Sequence, residues 1–181
     1  MTNTACACST QKLISSAEIA ICQAAADALL SKAGFRTSSP DSGQSGVFTE
    51  HSLIGHYYSP GHEEWKHAVV SVPFSFGVLA VHVEIKEPLP ASESDLPALA
   101  VNLFVVRDGK QPEALVSAEL LPHLDGSGKP AVKVNPKKGL KVTKKYDWRC
   151  LRQCAPSCLS CLDDVQCWVI CAGACVISCA L

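Results

Sequence analysis

Eight of the chain's eleven cysteines crowd into residues 150–181: Cys150, Cys154, Cys158, Cys161, Cys167, Cys171, Cys175 and Cys179. Their spacing is nearly palindromic. Matching from the outside inward, 150 with 179, 154 with 175 and 158 with 171 each give a residue-number sum of 329, and 161 with 167 gives 328. A constant sum is the condition for an antiparallel ladder. Cysteines four apart share one helical face. Two short helices turning at Asp163 and Asp164 would therefore set two cysteine stripes against each other, and the spacing predicts a helical hairpin stapled by up to four disulfides.

Helix geometry limits that picture. Each step of four residues carries the stripe about 40° beyond a full turn, or roughly 120° over three steps, so the end rungs need coiling or another connectivity. Pro156 has no N–H to donate and clashes with the preceding turn. The first arm is therefore expected to become regular only near Pro156. Eight cysteines allow on the order of a hundred complete pairings, and spacing alone does not choose among them. Thiolates at C-x2-C and C-x3-C spacing also bind zinc, copper(I) or iron–sulfur clusters. The tail holds one C-x2-C, Cys158 to Cys161, and has no histidine. Disulfides are the expected state, with no cofactor and no resident metal.

Charge divides the chain in the same place as cysteine. Residues 1–128 carry 7 basic and 14 acidic side chains, residues 129–152 carry 9 and 1, and the remainder 0 and 2. An acidic body thus meets a basic neck, and the two attract. Three segments are expected: a body over 1–135, a lysine-rich neck over 136–149 and the cysteine-rich hairpin over 150–181. The body is expected to hold a core of its own. The tail's cysteine density implies an oxidising destination. The opening MTNTACACSTQKLISSAE does not read as a secretory signal peptide, because no basic residue precedes an apolar run. Secretion by a dedicated exporter, release by lysis and a reduced cytoplasmic tail are all compatible with this.

Within the body, Ser15 and Glu18 form a capping box for an alanine-rich helix ending near Lys32, with Gly34 as its stop. Ile14, Ile19, Ile21, Cys22, Ala25, Leu29 and Leu30 are its expected buried side. Residues 37–46 have loop composition. Beyond them the pattern alternates, predicting strands over Ser52–Tyr58, His67–Phe74, Val78–Lys86, Ala98–Arg107, Glu113–Leu121 and Ala131–Val134. Asp108-Gly109 is the turn of a β-hairpin. The expected fold class is α+β: the N-terminal helix on a small antiparallel sheet or sandwich, followed by the helical hairpin.

The tail's remaining side chains suggest a function. Cysteines filling the inward stripe push Leu159, Leu162, Trp168, Val169, Ile170, Val176, Ile177 and Leu181 outward. Such a patch marks a partner or a membrane unless the body's sheet covers it. Trp168, Ile170, Val176 and Ile177 are the candidate contacts. Residues 167–181 span about 22 Å as a helix, short of the roughly 30 Å hydrocarbon core, so insertion at the interface is expected rather than a span. The lysine pairs Lys137/Lys138 and Lys144/Lys145 are candidate processing sites.

A globular leader joined to an apolar, cysteine-dense C-terminal peptide resembles the halocin-type bacteriocin precursors. That resemblance, carried by the layout and residues 150–181, implies a C-terminal peptide antibiotic split from an N-terminal portion that neutralises it. The twin-arginine signal of those precursors has no counterpart here, and the tail is shorter. The paired C-x3-C of Cys154/Cys158 and Cys171/Cys175 is also similar to the α-hairpinin peptides, helical hairpins with two disulfides. The resulting expectation is a bacteriocin-like antimicrobial precursor. Its partners would be a target-cell membrane, its own body, and a processing protease or exporter. The alternatives are a non-enzymatic thiol protein binding zinc or copper, and a secreted protein-interaction module.

Other features point nowhere sharper. His51, His56, His62 and His67 invite a metal reading, but His62 and His67 miss H-E-x-x-H by one residue and do not share a helical face. They are read as surface loop and strand residues. Cys6-x-Cys8 is a weak redox or metal signal, and Cys22 is a small core residue on its helix. No nucleophile elbow, phosphate loop or dinucleotide fingerprint is present, and no enzyme is expected. The neck's lysines carry little aromatic interleaving beyond Tyr146 and Trp148, so nucleic acid is not an expected partner.

Overall fold

The computed structural model describes residues 16–32, 45–48, 53–58, 67–74, 77–86, 96–137, 146–161 and 164–180. The fold class is α+β. Among the described residues, seven antiparallel strands run in simple sequence order, β1 (Ser45–Phe48), β2 (Leu53–Tyr58), β3 (His67–Phe74), β4 (Gly77–Ile85), β5 (Leu99–Val106), β6 (Glu113–Leu124) and β7 (Pro130–Pro136). Each strand pairs only with its chain neighbours, which makes one continuous meander rather than a sandwich. Helix α1 (Ser16–Lys32) lies against β2, β3 and β4, and the C-terminal helices lie against β3, β4, β5 and β7.

The period-two pattern sorts the strand residues between two cores. Ala68, Val70 and Val72 of β3, Leu79, Val81, Val83 and Ile85 of β4, Leu99, Val101, Leu103 and Val105 of β5, and Val116, Ala118 and Leu120 of β6 share one buried cluster with the C-terminal helices. The residues between them face the other way. There Val69, Val78 and Ala80 pack against Cys22, Ala25, Ala26 and Leu29 of α1, with Phe104 and Val106 at the margin. The larger core is therefore not a property of residues 1–135 alone. Its second wall is the cysteine-rich tail.

Turn chemistry fixes the meander. Asp108-Gly109 closes β5 onto β6 as the sequence predicts, with Lys110 N–H donating to Arg107 O at 3.1 Å and Gly109 at φ +64°, a conformation that glycine adopts without Cβ strain. The β6–β7 turn is held by Asp125, whose Oδ1 accepts from Ser127 N–H (2.8 Å), Ser127 Oγ (2.7 Å) and Lys129 N–H (3.0 Å). These bonds hold its carboxyl below the usual range. Both strands run further than expected, β6 to Leu124 and β7 from Pro130 to Pro136, because this turn lets pairing continue to Leu124 and Pro130.

Several sequence expectations need correction. Residues 45–46 pair in β1 instead of belonging to a loop, since β2 offers them a partner edge at His56 and Gly55. Ile21 is 52% exposed and lies off the buried side of α1, where Cys22, Ala25, Ala26 and Leu29 suffice to meet the sheet. The side chains of Ile14, Ile19 and Leu30 lie outside the described residues, as do Cys6, Cys8, His51 and His62.

Candidate functional site

The tail begins with α2 (Trp148–Cys154), continues directly into a 3-10 segment (Ala155–Cys161) and returns as α3 (Val165–Ser178). Asp147 starts α2 by accepting from Cys150 N–H at 2.9 Å, and Asp164 starts α3 by accepting from Cys167 N–H at 3.0 Å. These are aspartate N-caps, each satisfying one donor that the helix start leaves open. Asp163 lies outside the described residues. The regular α-helical part of the first arm precedes Pro156 rather than following it, which corrects the sequence reading. Pro156 sits at the second position of the 3-10 segment, where its missing N–H removes little. Ser157 and Ser160 hydroxyls then donate to the carbonyls three residues back, Cys154 O at 2.6 Å and Ser157 O at 2.9 Å, in keeping with the tighter turn.

Four disulfides close the hairpin in nested order: Cys150–Cys179, Cys154–Cys175, Cys158–Cys171 and Cys161–Cys167. The Cα separations of 5.4–5.7 Å hold the two arms at an even distance along the ladder. The stripe drift expected from helix geometry is present, and it shows as a gradient of burial. Along α3, Cys167 is exposed, Cys171 half-buried, and Cys175 and Cys179 buried. On the opposing arm Cys158 and Cys161 are buried while Cys150 and Cys154 are half-buried. The ladder twists, so successive rungs roll toward the sheet on one arm and away from it on the other.

Between the rungs, α3 turns its apolar side chains onto the sheet. Trp168, Val169, Ala172 and Val176 are fully buried and Ile177 is 2% exposed, whereas Ile170 is half-buried at the margin. Three of the four candidate contact residues thus lie under the sheet in the intact chain. Trp168 also satisfies its indole there, donating from Nε1 to Pro97 O at 2.9 Å. Gly173 lets α3 approach β3, since a Cβ at that position would stand 2.7 Å from Val70 Cγ2. At the far end the Tyr146 hydroxyl donates to Val176 O at 2.9 Å, reaching one of the carbonyls that a helix end leaves open. Burial, then the adjacent Asp147, pushes the Tyr146 phenol well above its usual range. Tyr146 packs edge-on against Trp148 at 4.9 Å between ring centroids.

Disulfides couple α2, the 3-10 segment and α3 to one another and never to the body. The link to the body is the neck. Of the candidate processing lysines, Lys137 is held at the sheet's end, its N–H donating to Ser117 O at 2.9 Å and its Nζ 3.6 Å from Glu119. Lys138, Lys144 and Lys145 lie outside the described residues.

A second polar group stands on the α1 face. His67 Nδ1 and His82 Nε2 are 2.9 Å apart, with the rings stacked at 5.1 Å. Burial, then His67, pushes the His82 imidazole down to about 4, against the opposing influence of Glu84. His67 is the strand residue the sequence suggests. The alternation in Gly77–Ile85, which puts His82 on the same face as Glu84, is the sequence signal for its place. Nearby Ser117 Oγ donates to Asn102 Oδ1 at 2.7 Å. Cys22 is fully buried beneath α1.

No family model matches the chain, and no curated protein or solved structure is significantly similar to it. Among the described residues no helix is long and apolar enough to cross a membrane. The four disulfides place the folded tail in an oxidising environment.

Proposed function

We propose that the chain is the precursor of a secreted, bacteriocin-like antimicrobial peptide, with residues 150–181 as the membrane-active part and the body as its carrier and mask. One observation carries this reading: the hairpin is covalently complete in itself, yet its apolar ridge is covered only by non-covalent packing on the sheet. Staples placed to secure the tail to the body would cross between them. Four staples inside some thirty residues instead preserve the hairpin's shape after separation. The resemblance to halocin-type precursors supports the same division of labour.

Release at Lys138, Lys144 or Lys145 would bare Trp168, Val169, Val176 and Ile177 together. A bilayer interface buries such area at roughly 25 cal/mol per Å², with the indole suited to headgroup depth. The arms are too short to span singly, so the hairpin lies in the interface or assembles there. Neck lysines retained on the peptide add about 1 kcal/mol each on anionic lipid, in a salt-sensitive way.

The test is dye leakage from anionic phosphatidylglycerol vesicles, comparing the oxidised peptide Lys144–Leu181, its reduced and alkylated form, and the intact chain. Strong leakage is expected from the first alone. An inert oxidised peptide that also leaves a panel of bacteria growing would sink the proposal. Equal leakage from all three would remove both the role of the staples and the masking by the body.

A further inference from the structure

Adjacent rungs of the ladder touch sideways. Cys158 Sγ and Cys175 Sγ belong to different disulfides and lie 3.7 Å apart. The sulfurs of Cys158, Cys171 and Cys175 all lie within 4.8 Å of one another, and Cys154 is bonded to the last of them. Three sulfurs from both arms therefore form a compact group at the middle of the hairpin, with Cys154, the C-x3-C partner of Cys158, bonded at its edge. Cys158 and Cys175, which make the contact between rungs, are buried at 0% and 2% exposure.

Zinc held by four thiolates has Zn–S distances of about 2.3 Å, which places neighbouring sulfurs about 3.8 Å apart at the corners of a tetrahedron. The Cys158–Cys175 separation already matches such an edge. With the two central disulfides reduced, each bonded pair separates to that same edge, and Cys154 Sγ, which lies outside the 4.8 Å group, turns in toward Cys158 and Cys171. Side-chain rotations supply this while the Cα atoms stay 5.5–5.7 Å apart. We propose that in the reduced chain Cys154, Cys158, Cys171 and Cys175 bind one zinc ion as a closed four-thiolate site.

Binding moves no electrons. Four thiols lose their protons to solvent, and the ion takes four Zn–S bonds. Because the same sulfurs form the central rungs, zinc and those two disulfides exclude each other, and the site exists only before oxidation. Every such chain is made with its thiols reduced. A metal at this position holds both arms in nested register at the two middle rungs, where free thiols have on the order of a hundred complete pairings open to them. The inference stands apart from the membrane reading, since leakage is a property of the oxidised hairpin and zinc binding one of the reduced chain.

The test uses the full chain, reduced anaerobically with a water-soluble phosphine, which converts each disulfide to two thiols as the phosphine becomes its oxide. Cobalt(II) chloride is titrated in near neutral pH, followed by zinc chloride. Thiolate-to-cobalt charge-transfer absorption and intense tetrahedral visible bands should saturate at one ion per chain and be bleached by zinc, with neither present in the oxidised chain. Joint Cys158→Ser and Cys175→Ser should weaken binding beyond the roughly tenfold cost typical of losing even an outer-shell partner. Joint Cys150→Ser and Cys179→Ser should leave the one-to-one tetrahedral signal, as should joint Cys6→Ser, Cys8→Ser and Cys22→Ser. Absence of tetrahedral bands in the reduced parent chain overturns the proposal. So does a signal that survives the Cys158/Cys175 change or disappears with either of the other two.

Discussion

Gly173 on α3 faces Val70 on β3 so closely that a Cβ at 173 would stand 2.7 Å from Val70 Cγ2 and 2.9 Å from Val70 Cβ. Val70 is fully buried and β-branched, with no flexible end to swing aside. The close approach of α3 to β3 at this point thus depends on the absence of one methyl group.

Gly173→Ala is accordingly expected to destabilise the intact chain by about 1–3 kcal/mol, the usual cost of overfilling a packed core. Thermal or urea unfolding measures this. Val70→Ala makes room for the added methyl, so the double variant should lose less than the two single losses combined. If the hairpin is a masked effector, Gly173→Ala in the full chain should also raise vesicle leakage toward that of the freed peptide. Additive losses would mean that the two residues do not set the docking distance.

Tyr146 joins the neck to the end of α3 through its bond to Val176 O. Tyr146→Phe leaves that carbonyl without this partner and should cost about 1–2 kcal/mol. The phenol's pKa is raised in the folded chain, so its contribution is fully present below the ordinary tyrosine value of about 10 and is lost as pH rises beyond it. Urea midpoints followed into alkaline solution should fall for the parent chain, and the phenylalanine variant should lack this component of the fall.

How much of this was legible beforehand depended on whether the determining contacts were local. The ladder could be read because its cysteines are four apart on one helical period and antiparallel arms impose a constant residue-number sum. The Asp108-Gly109 turn and the strands from His67 to Val106 were legible for the same reason, each being written in consecutive residues. What consecutive residues do not encode lies across the sheet. The fitting of Gly173 to Val70 joins residues about a hundred positions apart, and Trp168 finds its acceptor at Pro97. The helical stretch before Pro156 departs from the local pattern because the Asp147 cap and the docking of Leu151 into the core override the proline's effect further along.

His82 gives the chain an acid limit. Its folded pKa is depressed to about 4 by burial and by His67, whose ring nitrogen shares a proton with it across 2.9 Å. Protonating both rings would set donor against donor. The stability this provides is present above the unfolded value of about 6.5 and is lost as pH falls through about 4; it amounts to about 3 kcal/mol. Urea midpoints at a series of pH values should decline over this window, and His82→Gln should flatten the decline. An unchanged slope in the variant would assign the acid limit to other groups.

The shared core alters what is expected of the body alone. A chain ending at Lys138 loses Trp168, Val169, Val176 and Ile177, each worth about 1.5–3 kcal/mol of burial where the transfer scale covers it. Their sum, near 10 kcal/mol, is comparable to the whole stability of an ordinary domain, about 5–15 kcal/mol. It would also bare Val70, Val81, Val101, Leu103 and Leu120, which are all fully buried in the intact chain. The disulfides contribute nothing to this fragment, since all four leave with the tail. Residues 1–138 should therefore bind a hydrophobic dye, self-associate or melt without a cooperative transition. Adding the oxidised hairpin back should restore a cooperative transition and suppress leakage by the peptide. A monomeric fragment that unfolds cooperatively and ignores the hairpin would show that the sheet does not depend on its second wall, and would take the masking role away with it.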